Sequence, residues 1–187
     1  MTTSAKKASA VIFILFLILF TAYKPYDQPI YGDTFLKQLF VLYSFILNQT
    51  FGMIHEAGHG VCYIARCPDF ITAANGTLFQ LLFPFVPGVI SKRQGNVFGF
   101  YIGLFFVGFS MQYTAWYIST AHEGLYVSAA NSFLGKDGYH DFNYILSTFN
   151  LVGLDRLIGG LVKFGGYIMM MYACFRMWLL AFVNKGY

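Results

Sequence analysis

Apolar runs long enough to cross a lipid bilayer recur along this chain, and nothing else in it limits the fold as strongly. Residues 8–23 read ASAVIFILFLILFTAY, residues 97–120 contain no charged side chain, and residues 157–183 are interrupted only by Lys163 and Arg176. A bilayer core takes about 20 apolar residues per helix and offers no water to an open backbone, so runs of this length fold as helices. Composition agrees. Hydrophobic residues make up 57% of the chain and charged residues 11%, against about 25% charged in an ordinary soluble domain. The mean hydropathy is +0.57. The sequence therefore predicts an all-α integral membrane protein, a single helical domain over residues 1–187 in contact with the lipid bilayer.

Punctuation divides the chain. Lys6 and Lys7 precede the first run, and TAYKPYDQP follows it where a signal peptide would carry an A-x-A-type cleavage site. The run over 8–23 thus reads as an uncleaved first span with its lysines on the cytoplasmic side. Prolines, a glycine and aspartates mark 24–33 as a loop. A second helix is expected over 34–66. A third, over 77–91, is opened by the NGT at 75–77 and kinked or broken by Pro84 and Pro87. SKRQGN (91–96) is a turn, and spans follow over 97–120 and 157–183. In HDFNYILSTF, Phe142, Ile145, Leu146 and Phe149 recur at helical spacing, so a short amphipathic helix is expected over 140–150. The total is about five spans, or six if that helix is buried.

Charge excludes little beyond nucleic acid. Lys and Arg fall almost evenly on alternate loops, so they orient only the first span, and no basic cluster is dense enough for a nucleic-acid groove. Cys62, Cys67 and Cys174 are odd in number and lack CxxC spacing. Three buried thiols are expected in preference to a Cys62–Cys67 pair. Two glycosylation sequons, at Asn48 and Asn75, carry no weight, because the first lies inside a predicted helix.

Against this apolar background, FGMIHEAGHGVCYIA (51–65) places His55, Glu56 and His59 in a helix. Residues i and i+4 lie about 40° apart around a helix, so both imidazoles can face one zinc ion. Glu56 is about 60° from His59 and can reach a water activated at the metal without being a ligand, the general-base position in metal-assisted hydrolysis. Asn48, Gly52, His55, Glu56, His59, Cys62, Tyr63 and Arg66 share an arc of roughly 120°, a polar stripe predicted to face inward. Met53, Ile54, Ala57, Val61, Ile64 and Ala65 share the opposite face. Gly58 and Gly60 allow another helix to approach closely. HExxH also arises in helices that bind no metal, where water satisfies the polar groups. Inside a membrane that water is scarce, and unpaired Glu and His are expensive unless they serve a site.

Catalytic zinc usually has three protein ligands, and only two further histidines exist. His140 opens the amphipathic helix beside Asp141, His122 lies beside Glu123, and Asp155 stands in NLVGLDRL beside Arg156. All four histidines are therefore in the motif or next to a carboxylate, which suits ligation or orientation of a ligand. His140 ranks first as third ligand, Asp141 and Asp155 next, and His122 after them.

HEAGH on a membrane helix resembles the site-2 protease type of intramembrane zinc metalloprotease. In that family the third ligand is an Asp within N-x-x-P-x-x-x-L-D-G. NLVGLDRLIGG supplies Asn150, Leu154 and Asp155 for that pattern, with no proline, a shorter spacing and Arg156 for the glycine. Residues 52–160 are more closely similar to a group of small uncharacterised bacterial multi-pass membrane proteins. These combine HExGH, Q-x-L-x-P (here QLLFP, 80–84) and G-x-H-D-[WF]-x-Y-[IL]-L (here GYHDFNYIL, 138–146). That resemblance implies a bacterial inner-membrane location and a site completed by His140 or by the His140–Asp141 pair.

Three functions are compatible with these residues. The first is an intramembrane zinc hydrolase, above all a peptidase acting on a membrane-protein substrate, with Glu56 as base and Asn143 or Tyr139 as an oxyanion donor. The second is a non-catalytic subunit of a larger membrane complex in which any metal staples helices. The third is hydrolysis of a lipid or other membrane-soluble substrate. Di-iron chemistry is set aside, because it needs about eight histidines or several glutamates, and the chain has four His and two Glu.

Overall fold

In the computed structural model, described over residues 2–24, 26, 34–124 and 140–183, the chain is helical, and no strand occurs among these residues. The helices are α1 (Thr3–Tyr23), α2 (Phe35–Ala65), α3 (Asp69–Arg93), α4 (Val97–Ser119), α5 (Asp141–Thr148) and α6 (Asp155–Trp178). Single 3-10 turns at Ala121–Glu123 and Val152–Leu154 flank α5, and a π-turn at Leu179–Val183 continues α6. Among the described residues, four stretches are long and apolar enough to cross a membrane: Thr3–Tyr23, Asp69–Arg93, Val97–Glu123 and Val152–Val183. The predicted second span, 34–66, forms a helix but is not one of the four. Lys37, Gln38, Asn48, Gln49 and the motif itself dilute its apolar character.

α4 is the central staff of the bundle, and small residues set how closely its neighbours approach. A β-carbon on Gly103 would stand 2.7 Å from the Pro84 carbonyl and 2.9 Å from the Gly88 Cα on α3. One on Gly108 would stand 2.7 Å from the Gly166 carbonyl on α6. Such backbone-on-backbone packing is how helices associate where apolar burial gives no preference between neighbour and lipid. Further along, Gln80 of α3 reaches Ser110, and Ala115 and Ser119 of α4 face Gly159 of α6. Both neighbours therefore run antiparallel to α4. α1 packs by aromatic rings: Phe13 lies against Phe105, Phe20 against Phe109, and Tyr26, beyond the helix, stacks on Trp116. The core is accordingly dominated by Phe20, Phe98, Phe105, Phe109, Met170 and Met177, while Leu36, Ile64, Leu161 and Phe164 point outward.

Several sequence expectations need correction. NGT does not open the third helix, which starts at Asp69 after Pro68 and runs unbroken through Pro84 and Pro87. Asn75 reads as punctuation in sequence, but its side-chain amide donates to the Gly58 carbonyl of α2 at 2.5 Å, so it is a helix–helix contact. Beside these prolines α4 packs closely, Gly103 lying against the Pro84 carbonyl and Gly88. The short helix covers Asp141–Thr148, not 140–150, and α6 opens at Asp155, ahead of the expected 157. Cys62 and Cys67 form a disulfide, and only Cys174 is a buried free thiol. Arg66, in a left-handed conformation (φ 55°), ends α2 and turns Cys67 back so that its N–H donates to the Cys62 carbonyl at 2.9 Å. That local turn brings the two sulfurs together. Of the two motif glycines, Gly58 meets α3, whereas nothing lies within 4 Å of a β-carbon on Gly60.

Candidate metal centre

The motif sits in the last third of α2, where the helix meets the start of α3, the end of α4 and α5. His55 and Cys62 are buried and Asn48, Gly52 and Glu56 half-buried, while Met53, Ala57, Val61, Ile64 and Ala65 are exposed. The stripe turns inward as expected as far as Cys62. Tyr63 and Arg66 at its end are exposed.

Three ligand-type side chains converge. His55 Nε2 lies 2.9 Å and His59 Nε2 3.2 Å from the same Asp141 Oδ2, and all three ligand atoms lie within 4.8 Å of one another. The other ring nitrogens are occupied. His59 Nδ1 lies 2.8 Å from the Thr72 backbone carbonyl, which can only accept, so Nδ1 carries the proton. His55 Nδ1 lies 3.3 Å from Gln80 Oε1. Gln80 is fully buried, and its amide nitrogen donates to Ser110 Oγ at 2.6 Å and faces the Ser110 carbonyl at 3.4 Å. That fixes the carbonyl end of Gln80 toward His55, and the tautomer with it. With Nδ1 protonated, a neutral imidazole at either position presents its Nε2 lone pair to a carboxylate oxygen.

Lone pairs aimed at an anion need positive charge between them. Burial opposes ionisation of Asp141, and only a proton on the facing Nε2 atoms, or another positive charge there, offsets it and draws its carboxyl below the ordinary carboxylate range. Protonating both rings would place two cations with ring centroids 4.8 Å apart, a repulsion of about 3 kcal/mol at an effective dielectric of about 20. A single divalent cation would satisfy all three ligand atoms. Two nitrogens and one carboxylate oxygen make a zinc donor set, and the observed nitrogen–oxygen separations are near the ~3.4 Å edge of a tetrahedral site with ~2.1 Å bonds. Gly76 of α3 makes the room: a β-carbon there would stand 2.5 Å from His59 Nε2 and 2.6 Å from His55 Nε2.

The remaining sequence candidates lie elsewhere. The structure brings Asp141, and not first-ranked His140, against the two imidazoles. His140 caps α5: its Nδ1 accepts the Asn143 N–H at 3.3 Å, leaving Nε2–H to donate to Thr120 Oγ1 at 3.1 Å. Its ring stacks on Tyr117, centroids 4.2 Å apart, and burial favours its neutral form, lowering its pKa. Both nitrogens are committed, so His140 holds the residue that follows it. Asp155 and His122 pair with each other: the His122 N–H donates to Asp155 Oδ2 at 2.8 Å, its Nδ1 lies 2.5 Å from the same oxygen, and its Nε2 accepts from Arg156 at 3.3 Å. The Asn143 side chain donates to the Ala121 carbonyl at 2.7 Å. Tyr139 lies outside the described residues. Glu56 is half-buried.

Tyr117, Thr72, Ser110 and Gly76 were missed, and nothing in their local sequence distinguishes them. Tyr117 is buried; its hydroxyl accepts the Asp141 N–H at 3.2 Å and lies 3.4 Å from Asp141 Oδ2. Gln80 was visible only through the QLLFP resemblance. Comparison with family models, with curated proteins and with solved structures gives no match. The chemistry of the site rests on its own geometry.

Proposed function

We propose that the chain is a multi-pass membrane protein in which His55, His59 and Asp141 hold zinc, and that it hydrolyses amide bonds with Glu56 as general base. The observation that carries this reading is the pair of Nε2 lone pairs, each fixed by an acceptor behind the ring, directed at one carboxylate oxygen. Zinc held there supplies a Lewis acid and lets water act as a nucleophile at neutral pH. Gln80 and the Thr72 carbonyl orient the imidazoles and raise their basicity. Tyr117 and His140 hold the Asp141 carboxylate in place. Glu56, one residue from His55 and at the edge of the buried stripe, takes the proton from the attacking water and passes it to the leaving amine.

The four long apolar helices and the mostly outward-facing apolar side chains of α2 support five spans in a lipid bilayer. A bacterial inner membrane and a membrane-protein substrate follow from the resemblance of the motifs alone. Metal analysis of the purified protein tests the site. The expected result is one zinc per chain in the wild type and in Glu56→Gln, with amide hydrolysis lost only in the latter. Zinc present with turnover unaffected by Glu56→Gln would remove Glu56 from the chemistry. Zinc whose loss releases partner subunits, with no hydrolysis in either form, would favour a staple joining α2 to α5 in a larger complex.

A further inference from the structure

The bundle is chemically polarised along α4. Lys7 lies over Phe182, beyond the end of α6, Lys92 over Phe100, and Arg176 over Tyr101. The start of α1, the α3–α4 turn and the end of α6 therefore meet at the first turns of α4. Lys6, Lys7, Lys92, Arg93 and Arg176 gather there, with no carboxylate among the described residues. The last turns of α4 meet the other end, where His55 and His140 face Tyr117 and Gly159 faces Ser119. All five described acids, Glu56, Asp69, Glu123, Asp141 and Asp155, belong to this end, interleaved with Lys24, Arg66 and Arg156. Sequence order alone cannot show this grouping. It separates residues that alternate-loop counting had balanced.

The second observation is independent. The Cys62–Cys67 disulfide lies at the metal-site end, across the α2–α3 corner. Cys62 is one turn beyond His59, and Cys67 immediately precedes the first turn of α3, whose Thr72 carbonyl holds His59 Nδ1. Disulfides form and persist where the surroundings are oxidising, and cytosolic thiols are kept reduced. Lys and Arg, by contrast, concentrate on the cytoplasmic side of short-looped membrane proteins. The disulfide marks one end as non-cytoplasmic, and the lysine-rich flank of α1 with the Lys92–Arg93 turn marks the opposite end as cytoplasmic.

We propose that the metal-site end of the bundle faces the oxidising, non-cytoplasmic side of the membrane, so that metal, water and scissile bond all reach the site from that side. The substrate is then a peptide segment lying at the non-cytoplasmic interface, a statement that rests on the hydrolase reading above. The orientation itself does not depend on that reading. The oxidised Cys62–Cys67 pair clamps the corner from which His59 is aimed.

Single reporter cysteines in the full chain, expressed in bacterial spheroplasts and probed with a membrane-impermeant maleimide, test the orientation. Wild type is the blank, because its one free thiol is buried. Ser147→Cys, exposed at the end of α5, should label in intact spheroplasts, with exposed Thr148→Cys in its place if the first is not produced. Gln94→Cys, exposed in the α3–α4 turn, should label only after permeabilisation. Any other pattern overturns the proposal. Denatured wild type, quenched without reductant, should expose one reactive thiol and after reduction three; three before reduction would remove the disulfide argument. Because labelling needs neither metal nor turnover, a reversed pattern with zinc present sinks the orientation alone. The expected pattern without zinc sinks only the hydrolase reading.

Discussion

Two histidine–carboxylate groups stand at the same end of this bundle, and they differ in what their imidazoles still have to give. In the His122–Asp155 pair, the carboxylate takes both the ring Nδ1 and the backbone N–H of His122, and Arg156 donates to the remaining ring nitrogen. Every polar atom of that imidazole is matched, and the pair ties the end of α4 to the start of α6. In the His55–His59–Asp141 group, the Nδ1 atoms are already held by Gln80 and Thr72 when the rings reach the carboxylate. Two acceptors and an anion are left facing one another. A His beside an acid in sequence can be either; the second ring nitrogen decides, because a complete pair needs nothing more and an incomplete one needs a cation.

The sharpest way to break this contrast is to attack the space between the rings. Gly76→Ala should reduce bound zinc from one equivalent to background, although alanine is the better helix former by about 1 kcal/mol, because its β-carbon would collide with both Nε2 atoms. His55→Ala and His59→Ala should do the same, while His122→Ala retains the metal. Elemental analysis and the visible spectrum of the cobalt-loaded protein read this directly. Full metal content in Gly76→Ala would show that the three side chains do not share an ion. One step down, Gln80→Leu keeps the volume but removes the acceptor behind His55. Zinc affinity should fall about 10- to 100-fold, the range for groups that orient a ligand, measured by competition with a chelator. An unchanged affinity would mean that the tautomer of His55 is set by something other than Gln80.

Much of the frame was legible in sequence because it follows from local rules. Run length and apolarity placed the starts and ends of most helices, and the 3.6-residue period placed the stripe containing His55, Glu56 and His59. Long-range geometry was not legible. NGT reads as a helix opening, yet Asn75 and Gly76 lie mid-helix because Asn75 bonds across to Gly58 and Gly76 fits beneath two imidazoles. His140 ranked ahead of Asp141 as a histidine beside a carboxylate, within the GYHDFNYIL resemblance. N-capping turns the His140 ring back along its own helix, and the next residue, at the first helical position, projects toward α2. The Cys62–Cys67 pairing depends on one left-handed residue, Arg66, a position that no periodicity marks.

The smallest effect on the metal is expected at Asp155, and there the contrast is most exposed. Asp155 is 3% exposed and accepts from His122 and from the Arg156 N–H at 2.7 Å. Hydrogen bonds to a charged group contribute about 1.5–3 kcal/mol each, and removing the carboxylate leaves His122 and Arg156 without their shared partner. Asp155→Ala should therefore lower the thermal unfolding midpoint by several degrees, as should His122→Ala, and the double variant should lose little more than either alone. Zinc stoichiometry and the cobalt spectrum should stay as in the wild type. A ligand would behave in the opposite way, with metal lost in Asp155→Ala and kept in His122→Ala. That result would transfer Asp155 from the closed pair to the metal centre and dissolve the distinction between the two groups.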